Sequence, residues 1–256
     1  VESLLDPGKV QDVTFSDERL RANKIVAQLM DGQRAWSGQR RAVEAFRMVR
    51  TRAAHALRSE QSRSSVFAVT SPRQGDGKTL VSINLAIGLA RQSDAKVLLI
   101  DGDLRLPGIA KTLGLKPKLG LSDYLAGMAT LEGCMLAAPG HRLFIIPQMT
   151  SLPQSSELLA NGMLATLIQS IRKSHPDWIV LIDCPPILAV DDTLVVLQVV
   201  DKALLVVREG RTRRSEMRRA AQAIGEAKYL GTVLNDSRAS GDRGKHYYYD
   251  YGYEKR

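Results

Sequence analysis

An α/β fold with a mainly parallel central sheet and helices on both of its faces is what this sequence predicts. Three observations carry that expectation. Short runs that are apolar at nearly every position recur along most of the chain, the pattern of strands covered on both faces. Helical stretches long enough for right-handed crossovers separate them. The first of these runs also leads into a glycine-rich turn that ends Gly77-Lys78-Thr79, a spelling that carries a strand into a helix around a phosphate group.

Taken in order, residues 1–62 are polar and charged, with one amphipathic helix from Ala42 to Leu57, where Val43, Phe46, Val49, Ala53 and Leu57 recur at three- and four-residue steps. Strands are expected at Val66–Thr70, Val97–Ile100, Leu143–Ile146, Trp178–Ile182, Ala203–Val207 and Tyr229–Leu234. The crossover helices are expected at Lys78–Arg91, Ser156–Lys173, Asp192–Val200 and Arg213–Ala227, the second opening at a Ser155 or Ser156 cap. Residues 63–236 form the core domain in this reading. Residues 237–256 combine glycine, charge and tyrosine and are expected to be a mobile tail. Five of the seven tyrosines, Tyr247, Tyr248, Tyr249, Tyr251 and Tyr253, fall within the last ten residues. Tyrosine is an amphipathic side chain usually spent on cores and interfaces, so its concentration in such a tail calls for a chemical reason.

The composition narrows the class. At 256 residues and 44% hydrophobic content, the chain can bury a sizeable core. Its net charge of +9 favours anionic partners: nucleotides, nucleic acid or an acidic membrane surface. Cys134 and Cys184 stand too far apart for metal-ligand spacing, so both are expected to be structural thiols in a reducing compartment. No apolar run approaches the roughly 18–20 residues that cross a bilayer. His55, His141, His175 and His246 have no metal-ligand spacing either.

The chemistry concentrates in three places. Ser71-Pro72-Arg73-Gln74-Gly75-Asp76-Gly77-Lys78-Thr79 reads as a P-loop with Pro72 in the first glycine position. Glycines at 75 and 77 let backbone N–H groups curl around phosphate oxygens, Lys78 reaches the outer phosphates, and the Thr79 hydroxyl can ligate Mg²⁺. The next strand runs into Asp101-Gly102-Asp103-Leu104-Arg105-Leu106-Pro107, and a later one into Asp183-Cys184-Pro185-Pro186. Ligands of open parallel sheets bind at the carboxyl ends of strands, so Asp101, Asp103 and Asp183 are expected to converge with Thr79 around a magnesium ion. One aspartate at a strand end is usually a helix cap; three on two strands beside a P-loop point to nucleotide chemistry. The fold is accordingly P-loop NTPase-like.

These motifs, in this order and followed by a tyrosine cluster, resemble the cytoplasmic catalytic domains of bacterial tyrosine kinases of exopolysaccharide and capsule systems. The likeness covers about 42–256. Asp101-Gly102-Asp103-Leu104-Arg105-Leu106-Pro107 fits that family's second acidic motif throughout, and Pro153-Gln154-Ser155-Ser156-Glu157-Leu158-Leu159 is similar to another of its stretches. The resemblance implies an ATP- and Mg²⁺-dependent protein-tyrosine autokinase. Nucleotide binding would fall to Gly75, Asp76, Gly77, Lys78, Thr79 and Leu80, with Asn235 at the adenine. Thr79, Asp103 and Asp183 would hold Mg²⁺, and Asp101 would help deprotonate the incoming phenol. Arg105 has two open readings, stabilising transition-state charge or pairing with a neighbouring acid. Glu44, Arg47 and Arg50 match the family's Glu-x-x-Arg-x-x-Arg oligomerisation motif, which implies a homo-oligomeric ring whose subunits present Tyr247, Tyr248, Tyr249, Tyr251 and Tyr253 to one another's sites. It also implies a membrane polysaccharide copolymerase or transmembrane activator and a cognate tyrosine phosphatase as partners, no nucleic acid, and a place at the cytoplasmic face of the bacterial inner membrane.

Two other classes share part of this pattern. Partition and positioning ATPases of the ParA/MinD kind have the same phosphate site, but usually carry a lysine where Arg73 stands and lack a terminal tyrosine cluster. A nucleotide-binding adaptor that clamps a partner through its N-terminal helix is the third reading. The basic stretch Arg208, Arg211, Arg213, Arg214, Arg218 and Arg219 reads first as a solvated helix face, and second as a surface for acidic lipid, phosphate or a phosphorylated partner.

Overall fold

The computed structural model describes residues 9–26, 37–58, 65–92, 95–140 and 142–237. Its elements follow in the order β1 (Gln11–Asp12), α1 (Asp17–Ala22), α2 (Ser37–Arg58), β2 (Ser65–Thr70), α3 (Lys78–Gln92), β3 (Val97–Asp101), α4 (Ile109–Leu113), α5 (Leu121–Leu125), α6 (Leu131–Cys134), β4 (Leu136–Ala137), β5 (Leu143–Ile146), α7 (Ser155–Ala160), α8 (Met163–Ser174), β6 (Ile179–Asp183), α9 (Asp192–Leu197), β7 (Lys202–Arg208), α10 (Arg214–Ile224) and β8 (Tyr229–Asn235). The strands form one eight-stranded sheet in the order β1-β4-β5-β3-β6-β2-β7-β8. Every pairing is parallel except β4 with β5.

The six expected strands are all present, and their apolar runs are continuous because both faces are covered. Along β2, Val66 and Ala68 enter one core and Phe67 and Val69 the other; Leu98 and Ile100 alternate with Val97 and Leu99 along β3 in the same way. Successive side chains of a strand point to opposite faces, so a fully buried strand must be apolar at each position. Helices α1 to α4 cover one face, through residues such as Leu20, Val43, Ala53, Leu85, Leu89 and Leu113. Helices α5 to α10 cover the other, through residues such as Leu121, Leu131, Leu159, Leu167, Val196 and Ile224.

Three local readings are corrected. The single helix expected over Ser156–Lys173 is two, α7 and α8, broken at Asn161-Gly162. Gly162 takes φ +89°, left-handed backbone that favours glycine, and the Asn161 carbonyl oxygen of its side chain accepts from Met163 N at 2.9 Å. The helix expected over Asp192–Val200 ends at Leu197. The two-residue strands β1 and β4 are too short for any periodicity to mark; β1 joins the edge by pairing with β4. Residues 9–26 add to both cores, Val10 on one face and Leu20, Ile25 and Val26 on the other, and Asn84 of α3 fixes the end of this segment by accepting from Val26 N at 2.7 Å. Among the described residues no helix is long and apolar enough to cross a membrane.

One long-range clamp joins the β3 turn to the opposite layer. Arg105 donates to the carboxylate of Asp192 at the start of α9 through Nε, 3.2 Å from both oxygens, and Nη2 at 3.0 Å. Asp192 is fully buried and also accepts from the Ser155 hydroxyl at the start of α7. Leu152 N donates to Leu104 O at 2.8 Å alongside. Three loops are thereby tied to one carboxylate. Removing one partner of a buried pair leaves an uncompensated charge, so Arg105→Ala is expected to lower the unfolding free energy by about 3 kcal/mol in urea denaturation, with Asp192→Asn restoring part of the loss when added. Unchanged stability in the single variant would make the clamp an incidental contact.

Candidate functional site

The sheet order builds the site. β6 lies between β3 and β2, so the residue ending it stands between the P-loop that follows β2 and the acidic turn that follows β3. Asp183 pairs in register with Asp101 on one side and with Val69 on the other. Gly102 explains why the residue between the two aspartates of the β3 turn is so small: its N–H donates to Asp183 O at 2.8 Å, and a Cβ there would come within 2.8 Å of Ile182 Cγ2 and 3.1 Å of Asp183 O.

The expected residues converge. Lys78 Nζ lies 2.7 Å from Asp103 Oδ2 and 3.8 Å from Asp183 Oδ2. The Thr79 hydroxyl donates to Asp183 Oδ2 at 2.6 Å. Asp101 Oδ2 accepts from Gly108 N and Ile109 N at 3.1 and 3.0 Å, and Asp103 Oδ1 accepts from Leu106 N at 3.0 Å. All three carboxylates are buried, as is Lys78.

The electrostatics are those of a crowded, dry cluster. Burial pushes the Asp101 carboxyl well above the usual carboxylate range, and the charge of Asp183 pushes the same way. Asp183 is also raised by burial, against the opposing pull of Lys78, Thr79 and Ser82. For Lys78, burial works against the charge, but Asp183 and Asp103 outweigh it and hold the ammonium protonated.

Three carboxylates face one ammonium, and Asp101 Oδ1 has no hydrogen-bond partner. That surplus of hard oxygen donors and negative charge fits a divalent cation. Among the described residues no three His, Cys, Asp or Glu side chains are arranged to hold an ion by themselves. Mg²⁺ is one divalent cation that takes one or two carboxylates and completes its shell with waters and phosphate oxygens. Thr79, Asp103 and Asp183 are the groups that would hold it.

The P-loop itself is braced from its outer side. Gly75 and Gly77 take φ +82° and +95°, the left-handed backbone that turns consecutive N–H groups inward. Asn235, at the end of β8, donates from Nδ2 to Asp76 O at 2.9 Å, and a Cβ at Gly77 would lie 1.9 Å from that same nitrogen. Asn235 is therefore in contact with the loop at the expected end of β8. Arg208 donates from Nη1 to Gly75 O at 3.3 Å and pairs with Asp236 at 2.6 Å. Arg73, in the position where ParA/MinD proteins usually carry lysine, pairs with Glu216 of its own chain at 2.7 Å.

Sequence reasoning missed several participants. Ser82 is buried, and its hydroxyl donates to Asp183 Oδ1 at 2.9 Å, with Lys78 O at 3.0 Å; its signal is the three-residue step from Thr79, which puts both hydroxyls on one face of α3. Arg208 and Arg211 were read with a solvated helix face, but they lie in and after β7, outside α10, and reach the P-loop. Arg105 is held by Asp192, the acid-pairing alternative of its two readings. Glu44 and Arg47 are exposed and pair within α2 at 2.7 Å, whereas Arg50 is only 8% exposed and points to the interior of its own chain. Leu80 follows Thr79 in α3 and is partly buried. Tyr247, Tyr248, Tyr249, Tyr251 and Tyr253 lie outside the described residues.

This architecture has known counterparts. A family model described as an AAA domain matches residues 64–214. The tyrosine-protein kinase YwqD of Bacillus subtilis strain 168 is 31% identical over 210 residues, which are 81% of this chain and 85% of that protein. The kinase domain of the Escherichia coli tyrosine kinase ETK is similar with a TM-score of 0.67 and 34% identity, over 82% of this chain and 80% of that one. The septum site-determining protein MinD of Pyrococcus horikoshii OT3, solved with Mg-ADP, is similar over a smaller part, with a TM-score of 0.59 and 26% identity over 70% of this chain and 72% of that one. With kinase relatives matched across most of both chains, and with a lysine, a threonine and three aspartates gathered at one sheet edge, this chain belongs to the bacterial tyrosine-protein kinases.

Proposed function

We propose that the chain transfers the γ-phosphoryl group of ATP to the tyrosines of its own C-terminal cluster, Tyr247, Tyr248, Tyr249, Tyr251 and Tyr253, on a second copy of itself, and that it regulates exopolysaccharide or capsule synthesis and export beside a membrane. The observation that carries this reading is the convergence of Lys78, Thr79, Asp103 and Asp183 below a P-loop, in a chain whose last ten residues hold five phenols.

Phosphoryl transfer asks a protein for positioning and charge stabilisation more than for covalent help. Lys78 leaves Asp103 and binds the outer phosphates, while the N–H groups around Gly75 and Gly77 hold the rest of the chain of phosphates. Thr79, Asp103 and Asp183 hold Mg²⁺, which supplies neutralisation of charge on the phosphate oxygens. The tyrosine oxygen bonds to the γ-phosphorus, the bond from that phosphorus to the bridging oxygen breaks, and ADP leaves. Asp101 takes the phenol proton; Gly108 N and Ile109 N fix one of its oxygens and leave the other without a partner. Asn235 reads the adenine from its place on the P-loop.

Assembly brings the tail to the site. Glu44 and Arg47 are exposed on α2 and exchange their intrahelical pair, worth only a few tenths of a kcal/mol, for pairs with a neighbouring subunit, with Arg50 supporting the helix from within. Each added phosphate brings about −1.5 to −2 charges to the tail and loosens the ring by like-charge repulsion. A copolymerase or transmembrane activator and a phosphatase complete the cycle.

Lys78→Met is expected to lower phosphotyrosine formation with Mg-ATP by roughly a hundredfold or more while leaving the circular dichroism spectrum unchanged. Mixed with a tail-less active chain, the Lys78→Met protein is expected to become labelled on its terminal tyrosines; ATP hydrolysis without phosphotyrosine in the unmodified protein would instead favour a positioning ATPase. Replacing Glu44 and Arg47 together by alanine is expected to shift the unphosphorylated protein towards monomer in sedimentation velocity, and an unchanged distribution would remove α2 from the assembly.

A further inference from the structure

We infer that Arg211 is a nucleotide-phosphate ligand, a cation laid against Gly75 of the P-loop in addition to Lys78. The inference rests on the nucleotide reading above and extends it to a residue of the basic stretch, outside the phosphate-loop motif.

The geometry is specific. Arg211 lies in the turn between β7 and α10, and its guanidinium is laid against Gly75: a Cβ at that glycine would come within 2.9 Å of Nη1 and 3.4 Å of Cζ. The side chains that rest on this stretch of the loop come from two neighbouring strand ends. Arg208 donates to Gly75 O and Asn235 donates to Asp76 O, so each completes a backbone acceptor. Arg211 completes none.

The charge pattern sets Arg211 apart. Arg73 is paired with Glu216, Arg208 with Asp236 and Arg105 with Asp192. Among the described residues no carboxylate forms an ion pair with Arg211, which is exposed. The nearest acid on the loop, Asp76, is buried and turns one oxygen to Arg73 N at 3.1 Å. The Asp76 carboxylate attracts Arg211 through space, but it is shared with Arg73, so a guanidinium against a loop whose N–H groups already provide positive potential gains from a further anion. A polyphosphate is the anion that this loop is shaped to receive, and the planar fork of arginine matches phosphate oxygens.

Binding, rather than turnover, tests this. Titration calorimetry with Mg-ADP on the full chain is expected to show roughly tenfold weaker binding for Arg211→Ala and an intermediate affinity for Arg211→Lys, with the melting temperature without nucleotide unchanged because the side chain is exposed. Since the contact is one of charge, the gap between the unmodified and alanine proteins is expected to shrink when salt is raised from about 0.05 to about 0.5 M. Equal affinities at low salt would overturn the assignment. A gap that persists at high salt would also overturn it, assigning Arg211 to stacking on the base. Failure of the unmodified protein to bind Mg-ADP would instead overturn the nucleotide reading on which the inference stands.

Discussion

The carboxylate of Asp183 is the point on which the site depends. It ends β6, the strand inserted between β2 and β3, and its two oxygens take the hydroxyls of Thr79 and Ser82 while Lys78 stands 3.8 Å away. One buried anion thus fixes the first turn of α3, which is also the exit of the P-loop. Such a group is costly unless its oxygens are satisfied and its charge is opposed. Here both conditions are met by residues of one helix, so the fold of the phosphate loop and the solvation of Asp183 are the same event.

Lys78 is committed to Asp103 and Asp183, and the cluster carries more negative than positive charge. Under the proposed function a polyphosphate and a divalent cation would exchange these contacts rather than add to them, with Lys78 passing to phosphate and Asp103 and Asp183 to the cation. Contacts that must be exchanged on binding add less to affinity than their number implies. The raised pKa of Asp101, caused first by burial and then by the charge of Asp183, belongs to the same crowding, and its unpartnered oxygen marks where that crowding is least compensated.

The outer shell does mechanical work of a different kind. Asn235 and Arg208 take backbone acceptors of the P-loop, and Arg105 gathers the β3 turn, α7 and α9 onto Asp192. These are long-range contacts between loops at the carboxyl edge of the sheet, charge-assisted where an arginine donates. They hold together segments whose own backbones have few regular partners, and they link the ends of β7 and β8 to the P-loop. Arg105 is a clear instance of a residue with two chemically sound readings, one of which its partner decides.

How far the chain was legible depended on whether a feature is local. Six strands and the P-loop helix were readable because two-sided burial demands continuous apolar runs, and because Gly77-Lys78-Thr79 has few uses other than turning a strand into a helix around phosphate. The break at Asn161-Gly162, the strands β1 and β4, and the roles of Ser82 and Arg211 were not, since each is fixed by a neighbour distant in sequence or by one backbone dihedral angle. By itself the sequence determined the six main strands, the principal crossover helices, the residue types of the site and the family resemblance. Only the tertiary structure decided that β6 enters between β2 and β3, that Asp183 therefore meets Thr79 and Ser82, and which partner each arginine takes. Periodicity records how a segment is buried, whereas strand order and side-chain pairing follow from contacts between segments that no local pattern encodes.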